Sequence, residues 1–232
     1  VRDDNSVVDL LFYVDTTFYT SNYLLYRKEN KHPYVLYDYI YPTGDEFLTY
    51  SDCSVDLLSK KYSYYLAVKD ECGISEKKSN EVSPIYLTLR QENDVNCILR
   101  TDYVGWDSVE YYKVYKKKDS DVQWRLLDII SSATNYYCDK EEDILQLSEK
   151  VCYKMVAYQG DSSEYLFRDT AQSLYVSYSR KGEVWVPNAF TPQQDNNKIF
   201  KPSLTFAESK GYCFQVYSRA GTLVFETTDI NQ

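Results

Sequence analysis

The sequence predicts an all-β protein built as two tandem two-sheet sandwiches followed by part of a third β domain. Three observations lead there. Short segments alternate apolar and polar residues with a period of two, the mark of a half-buried strand. A set of these segments recurs once, about 90 residues further on. The composition holds 26 Tyr but only 7 Gly, 6 Pro and 1 Met, and tyrosine suits pleated surfaces where the ring packs and the hydroxyl stays wet. With 232 residues, 44% of them hydrophobic, the chain is long enough to bury one or two cores.

The repeat gives the strands in order. Tyr23–Lys28 (YLLYRK) recurs 89 residues on as Tyr112–Lys117 (YKVYKK). Tyr50-Ser51-Asp52 recurs 87 residues on as Tyr137-Cys138-Asp139. Tyr64–Val68 recurs as Tyr153–Ala157, and Ile85–Thr88 as Leu174–Ser177, both 89 residues on. A period this long suits tandem whole domains rather than a solenoid. Within the matched segments Tyr64, Leu66 and Val68 share one face, as do Tyr153, Met155 and Ala157, while Tyr65, Lys69 and Lys154 point away. Tyr23 with Leu25, and Tyr112 with Val114, behave alike. Turn-rich pieces such as Pro42–Asp45 and Lys118–Asp121 separate the strands. The one helical candidate, Glu141–Lys150, is short and is expected to form a turn in a loop.

These features divide the chain into a first sandwich over 1–90, a second over 91–183 and a partial third domain over 184–232, with short linkers at Arg90–Val95 and Arg180–Glu183. Two copies with roughly seven short strands each indicate immunoglobulin-like or fibronectin-like sandwiches. The strings Tyr62–Gly73 (YSYYLAVKDECG) and Tyr103–Tyr115 (YVGWDSVEYYKVY) resemble fibronectin type III modules of bacterial surface proteins, and that resemblance spans roughly residues 1–183. In the tail, Val184–Pro192 (VWVPNAFTP) is an extended segment bounded by prolines. Phe214–Asp229 contains two strand pieces joined at Arg219-Ala220-Gly221-Thr222, a hairpin with glycine at its turn. Val186–Pro192, Val216–Gly221 and Val224–Thr227 resemble, in order, the gliding-motility-associated C-terminal domain, the type B sorting domain of type IX secretion substrates. Where that family carries an acidic, glycine-bearing loop, this chain has Gln193–Asn197 with no glycine and one carboxylate, so calcium binding there is expected to be weak.

The resemblance implies a secreted or outer-surface location on a Gram-negative bacterium. It also implies a non-enzymatic structural or adhesive role within a larger protein, and partners among that protein's other domains, the secretion machinery, surface proteins or glycans. A chain that opens at Val1 without an apolar leader is expected to be a fragment or a mature product. The six cysteines, even in number and without the short paired spacings of a zinc site, point to disulfides in an oxidising compartment. Placed on the sandwich, Cys138 closes strand E and Cys152 opens strand F, so a Cys138–Cys152 bridge is expected. Cys53–Cys72 is disfavoured, because the length of strand F separates them. Cys53, Cys72, Cys97 and Cys213 are left unassigned.

Nothing in the sequence calls for catalysis, a cofactor or a metal. The lone His32 precedes Pro33 and is expected in an exposed turn, and no nucleophile elbow, phosphate loop or metal motif occurs. The acidic run Glu141–Asp143 and the lysines at 113 and 116–118 are expected to be solvated. With 26 Lys+Arg against 35 Asp+Glu and a formal charge of -9, the chain is not suited to grip a phosphate backbone. No apolar stretch approaches the ~20 residues of a membrane-crossing helix. If the chain binds a glycan or a protein, the candidate aromatics are Tyr37, Tyr39, Tyr41 and Trp106.

Overall fold

The computed structural model describes residues 1–17, 20–69, 76–93, 95–140, 150–160, 169–179, 182–189, 191, 193, 199–205 and 211–230. All regular structure among them is strand, and every sheet is antiparallel. One compact unit holds 1–140 with 151–178, and a second holds 141–150 with 179–232. The helical candidate over 141–149 and the residues at 180–181 lie outside the described residues.

The first sandwich pairs β1 (Val8–Tyr13) with β4 (Phe47–Asp52) in one sheet. Its other sheet runs β3 (Val35–Ile40), β2 (Tyr23–Glu29), β5 (Tyr62–Lys69), β6 (Glu76–Lys78). Between the sheets lie Val8, Leu10, Phe12, Leu25, Leu48, Tyr62, Tyr64 and Leu66, on the alternating positions that a half-buried strand offers. The second sandwich has a three-stranded sheet of β11 (Tyr136–Asp139), β8 (Val95–Arg100) and β7 (Leu87–Glu92). Opposite it, β10 (Arg125–Ser131), β9 (Val109–Lys118) and β12 (Val151–Gln159) are adjacent. Both β13 (Thr170–Gln172) and β14 (Val176–Tyr178) pair with β12. Ile98, Tyr112, Val114, Tyr153, Met155 and Ala157 fill its core. In the second unit β15 (Glu183–Trp185) pairs with β16 (Ser203–Thr205), and β17 (Phe214–Tyr217) with β18 (Leu223–Thr227). The expected turn between the last two is closed by Gly221 at φ +83°, with its N–H donating to the Ser218 carbonyl.

Arg90–Val95 is not a linker. Arg90, Gln91 and Glu92 finish β7 and pair with Cys97, Asn96 and Val95, and the reversal between the strands uses Asn93 at φ +48°, a left-handed conformation asparagine tolerates. The second sandwich therefore begins before residue 91. The crossing lies at Ile85-Tyr86-Leu87, where strand alternation sends Ile85 and Leu87 into the second core and Tyr86 into the first. The Tyr86 hydroxyl accepts from the Tyr62 N–H at 2.6 Å, while its backbone exchanges hydrogen bonds with Thr101. The Ile85–Thr88 and Leu174–Ser177 match does not mark equivalent places, since Leu174 packs into the first core and its N–H donates to the Ile85 carbonyl.

The two sheets of each sandwich are tied by a buried carboxylate. Asp52, at the end of β4, is wholly buried and accepts from Arg27 Nη1, Tyr64 Oη, Tyr37 Oη and the Ser54 N–H, each at 2.9 Å. Asp139, at the end of β11, accepts from Lys116 Nζ at 2.7 Å and Tyr153 Oη at 2.8 Å. Arg27 and Lys116 hold the same place in the repeat, as do Tyr64 and Tyr153. In both copies a carboxylate on one sheet grips a cation and a tyrosine on the other. Burial alone would push the Asp52 carboxyl up, but the Arg27 guanidinium and the hydrogen bonds from Ser54, Tyr64 and Tyr37 outweigh it and hold the group below the usual carboxylate range.

Two outcomes follow. Asp52→Asn removes the fully buried counter-charge of Arg27 and leaves it only the partly exposed Glu29 at 3.1 Å, so urea unfolding should show a loss of about 3 kcal/mol, and Asp139→Asn should fall in the same direction. Because the folded value for Asp52 lies below the unfolded one of about 3.9, its contribution is complete above that pH and is lost as pH falls through the lower folded value. Acid titration of stability should show that decline in the parent chain and a shallower one in Asp52→Asn.

Candidate functional site

Among the described residues a cleft of about 280 Å³ lies within the first unit. Four consecutive residues of β1, Val8–Leu11, form one side. The remaining walls include Pro84, which precedes β7, Tyr103 and Trp106 from the β8–β9 connection, and Asp169–Gln172 around β13. Trp106 and Tyr103 pack with ring centroids 4.3 Å apart, and the Tyr103 N–H donates to the Tyr112 hydroxyl at 3.2 Å. Gly105 (φ +151°) lies close above the Tyr103 ring, where a Cβ would meet the Tyr103 hydroxyl. Asp9 accepts from Arg2 and from Ser51 Oγ at 2.6–2.9 Å. The Arg2 hydrogen bond is the main reason its carboxyl sits below the usual range, so Asp9 is a fixed anion rather than a proton donor. The cleft thus offers an aromatic wall, amide and hydroxyl groups and carboxylates, groups that can hydrogen-bond and pack against a ligand.

Of the sequence candidates, only Trp106 reaches this cleft. Tyr37, Tyr39 and Tyr41 do not form one row. Opposite β2, Leu25 faces Asp38 and Tyr26 faces Leu36, so Tyr37 is the extra residue of a bulge. Its ring turns toward the first core, beneath the Arg27 guanidinium at 3.7 Å and bonded to Asp52. Tyr39 and Tyr41 are exposed. His32 lies in an exposed turn, its N–H donating to the Glu29 carbonyl. Among the described residues no group of three or more His, Cys, Asp or Glu could hold a metal ion, and no helix is long and apolar enough to cross a membrane.

The outer sheet faces carry aromatic ladders that the sequence reading did not single out. On the first sandwich Tyr26 stacks on Tyr65 at 4.8 Å and Tyr34 meets Tyr65 edge-on at 4.7 Å, with Lys28 over Tyr34 and Lys78 over Tyr65. On the second, Tyr111 stacks on Tyr158 at 4.7 Å and Lys113 lies over Tyr158 at 4.5 Å. Rings that already face one another and a lysine are occupied by intramolecular contacts rather than presented as bare platforms.

The disulfide is Cys97–Cys138, not Cys138–Cys152. Asp139 and Tyr153 both point into the core and bond each other. Their strand neighbours Cys138 and Cys152 therefore project from opposite outer faces of the sandwich. Cys97 stands directly opposite Cys138 on the paired strand β8, with Cα atoms 4.0 Å apart. A usable signal was present, since strand E of a sandwich pairs with strand B and Cys97 lies on B. The buried Asp52 and Asp139 were also missed as functional positions, although both stand at the end of a matched segment, Tyr50–Asp52 and Tyr137–Asp139. Cys72 lies outside the described residues, and Cys53 and Cys213 are exposed.

Neither the family models nor the curated proteins include a match to this chain.

Non-reducing peptide mapping should recover a Cys97–Cys138 peptide and no Cys138–Cys152 peptide. The paired substitution Cys97→Ala with Cys138→Ala opens a loop of 41 residues, and chain-entropy reasoning puts the resulting loss at about 4 kcal/mol in chemical denaturation.

Proposed function

We propose that this chain is a non-enzymatic structural segment of a larger exported or cell-surface protein, a stiff spacer that presents other domains or contributes to adhesion. The observation that carries the reading is the interlocked junction of the two sandwiches. The loop before β1 clasps the second sandwich: Asn5 Nδ2 donates to the Tyr175 carbonyl and Asn5 Oδ1 accepts from the Tyr175 N–H, both at 2.9 Å. Lys154 Nζ reaches Asp3 at 2.8 Å and lies 4.6 Å from the Trp124 ring. Asn80 donates to the Gly105 carbonyl, and Ser83 bridges to Val104. Leu174 and Tyr86 enter the first core and Ile85 the second. Apolar burial combined with paired backbone bonds restricts hinge motion between domains, the mechanical property a spacer needs.

Export is supported by the disulfide Cys97–Cys138, which belongs to an oxidising compartment, and by the resemblance of the tail to a type B sorting domain. Detection of the full-length protein only in the cytoplasm would defeat that part. A second reading, a glycan- or protein-binding module, draws on the cleft beside Trp106. Silence on a glycan array would remove its glycan form.

NMR relaxation should give the first and second sandwiches one common rotational correlation time. Asn5→Ala deletes both bonds to Tyr175 and should lower the free energy that holds the junction by about 1–3 kcal/mol, seen as faster hydrogen exchange near Tyr175. Independent tumbling of the two sandwiches in the parent chain would refute the spacer reading.

A further inference from the structure

The core of the second sandwich holds a buried quartet whose chemistry differs from that of the first. Asn96 of β8 stands opposite Asp139 of β11, and on the facing sheet Lys116 of β9 stands opposite Tyr153 of β12. All four are at most 1% exposed. Asp139 Oδ2 accepts from Lys116 Nζ at 2.7 Å and from Tyr153 Oη at 2.8 Å, and Asn96 Nδ2 donates to Tyr153 Oη at 3.2 Å. The one hydroxyl proton of Tyr153 goes to the carboxylate, so toward Asn96 this hydroxyl can only accept. That fixes the orientation of the amide and leaves Asn96 Oδ1 buried with no hydrogen-bond partner among the described residues. A buried carbonyl oxygen without a donor is costly, so stability alone is a poor reason for this asparagine. The first copy shows that the sandwich does not need it. There Val8 stands opposite Asp52, and Arg27 takes the place of Lys116. Lysine and asparagine occur together in one copy, arginine and valine in the other. A primary amine can displace ammonia from a carboxamide, whereas a guanidinium and an isopropyl group have no such reaction.

We propose that Lys116 and Asn96 form an intramolecular amide cross-link across the second core, with Asp139 carrying the proton. Asp139 takes a proton from the Lys116 ammonium and frees the lone pair of Nζ. The first step turns two buried ions into two neutral groups, and a dry interior penalises ions more than neutral groups. Nζ then turns from Asp139 to Asn96 and attacks Cγ, forming the Nζ–Cγ bond and a tetrahedral centre. Asp139 returns its proton to Nδ2, the Cγ–Nδ2 bond breaks, and ammonia leaves, taking the surplus proton of Nζ as ammonium. The carboxylate is regenerated, and no oxidant or cofactor is consumed. Confinement of amine and carboxamide in one closed interior supplies the effective concentration that the same pair lacks in water. The link would join the two sheets covalently, one residue along β8 from the Cys97–Cys138 bridge within the other sheet. The inference does not rest on the spacer reading, and its failure leaves that reading untouched.

Intact mass spectrometry of the whole chain, with its disulfide reduced, should give a mass below that of the sequence by one ammonia, about 17 Da. Tryptic mapping should place the loss in a branched peptide that joins Asn96 to Lys116, with no cleavage after Lys116. Lys116→Arg and Asn96→Val each install the residue that the first copy carries at that place, and each should restore the sequence mass. A parent chain at its full sequence mass, an ammonia loss that maps to another residue, loss of water into a Lys116–Asp139 amide, or a cross-link that still forms in Asp139→Asn would each overturn the proposal.

Discussion

A carboxylate buried between two sheets sets the terms for each sandwich. Asp52 and Asp139 lie at the ends of β4 and β11, and their side chains cross the interior to a cation and a tyrosine on the facing sheet. An ionised carboxylate taken out of water is tolerated only when its lone pairs are met by donors. Asp52 has four such donors, drawn from β2, β3, β5 and the turn after β4. The arrangement therefore fixes strand register as well as sheet spacing. A slip by one residue in β2 or β5 would turn Arg27 or Tyr64 outward and strand the anion.

The copies meet this requirement with different chemistry. The first uses arginine, whose planar fork also lies against the Tyr37 and Tyr62 rings. The second uses lysine, with Asn96 donating to the Tyr153 hydroxyl at 3.2 Å. On the outer face of the paired B and E strands, the first has the Arg2–Asp9–Ser51 cluster where the second has the Cys97–Cys138 bridge. Both devices tie the same two strands at the same rung. Only the covalent one depends on an oxidising environment.

The junction between the copies is where local pattern and global position part. Ile85-Tyr86-Leu87 alternates as any strand does, yet its two faces enter two different interiors. Each sandwich therefore completes its core with a residue from the neighbouring segment, and relative motion would open apolar surface in both. The same junction brings Pro84, Tyr103 and Trp106 to face β1 and makes the cleft.

Sequence periodicity alone determined the all-β class, the doubling of the sandwich, the inward faces of β2, β5, β9 and β12, and the Gly221 hairpin. Each of these is a local consequence of strands showing alternate residues to opposite sides. The repeat also displayed Arg27 and Lys116 on inward faces, a legible sign of a buried ion pair that went unread, because neither partner is near Asp52 or Asp139 along the chain. Tertiary structure decided the rest: that Cys138 meets Cys97, that the bulge turns Tyr37 away from Tyr39, and that Arg90–Glu92 pair back on Val95–Cys97. Each depends on which strands become neighbours across a sheet or between sheets. The free energy of those long-range pairings is not written in the alternation of any single segment.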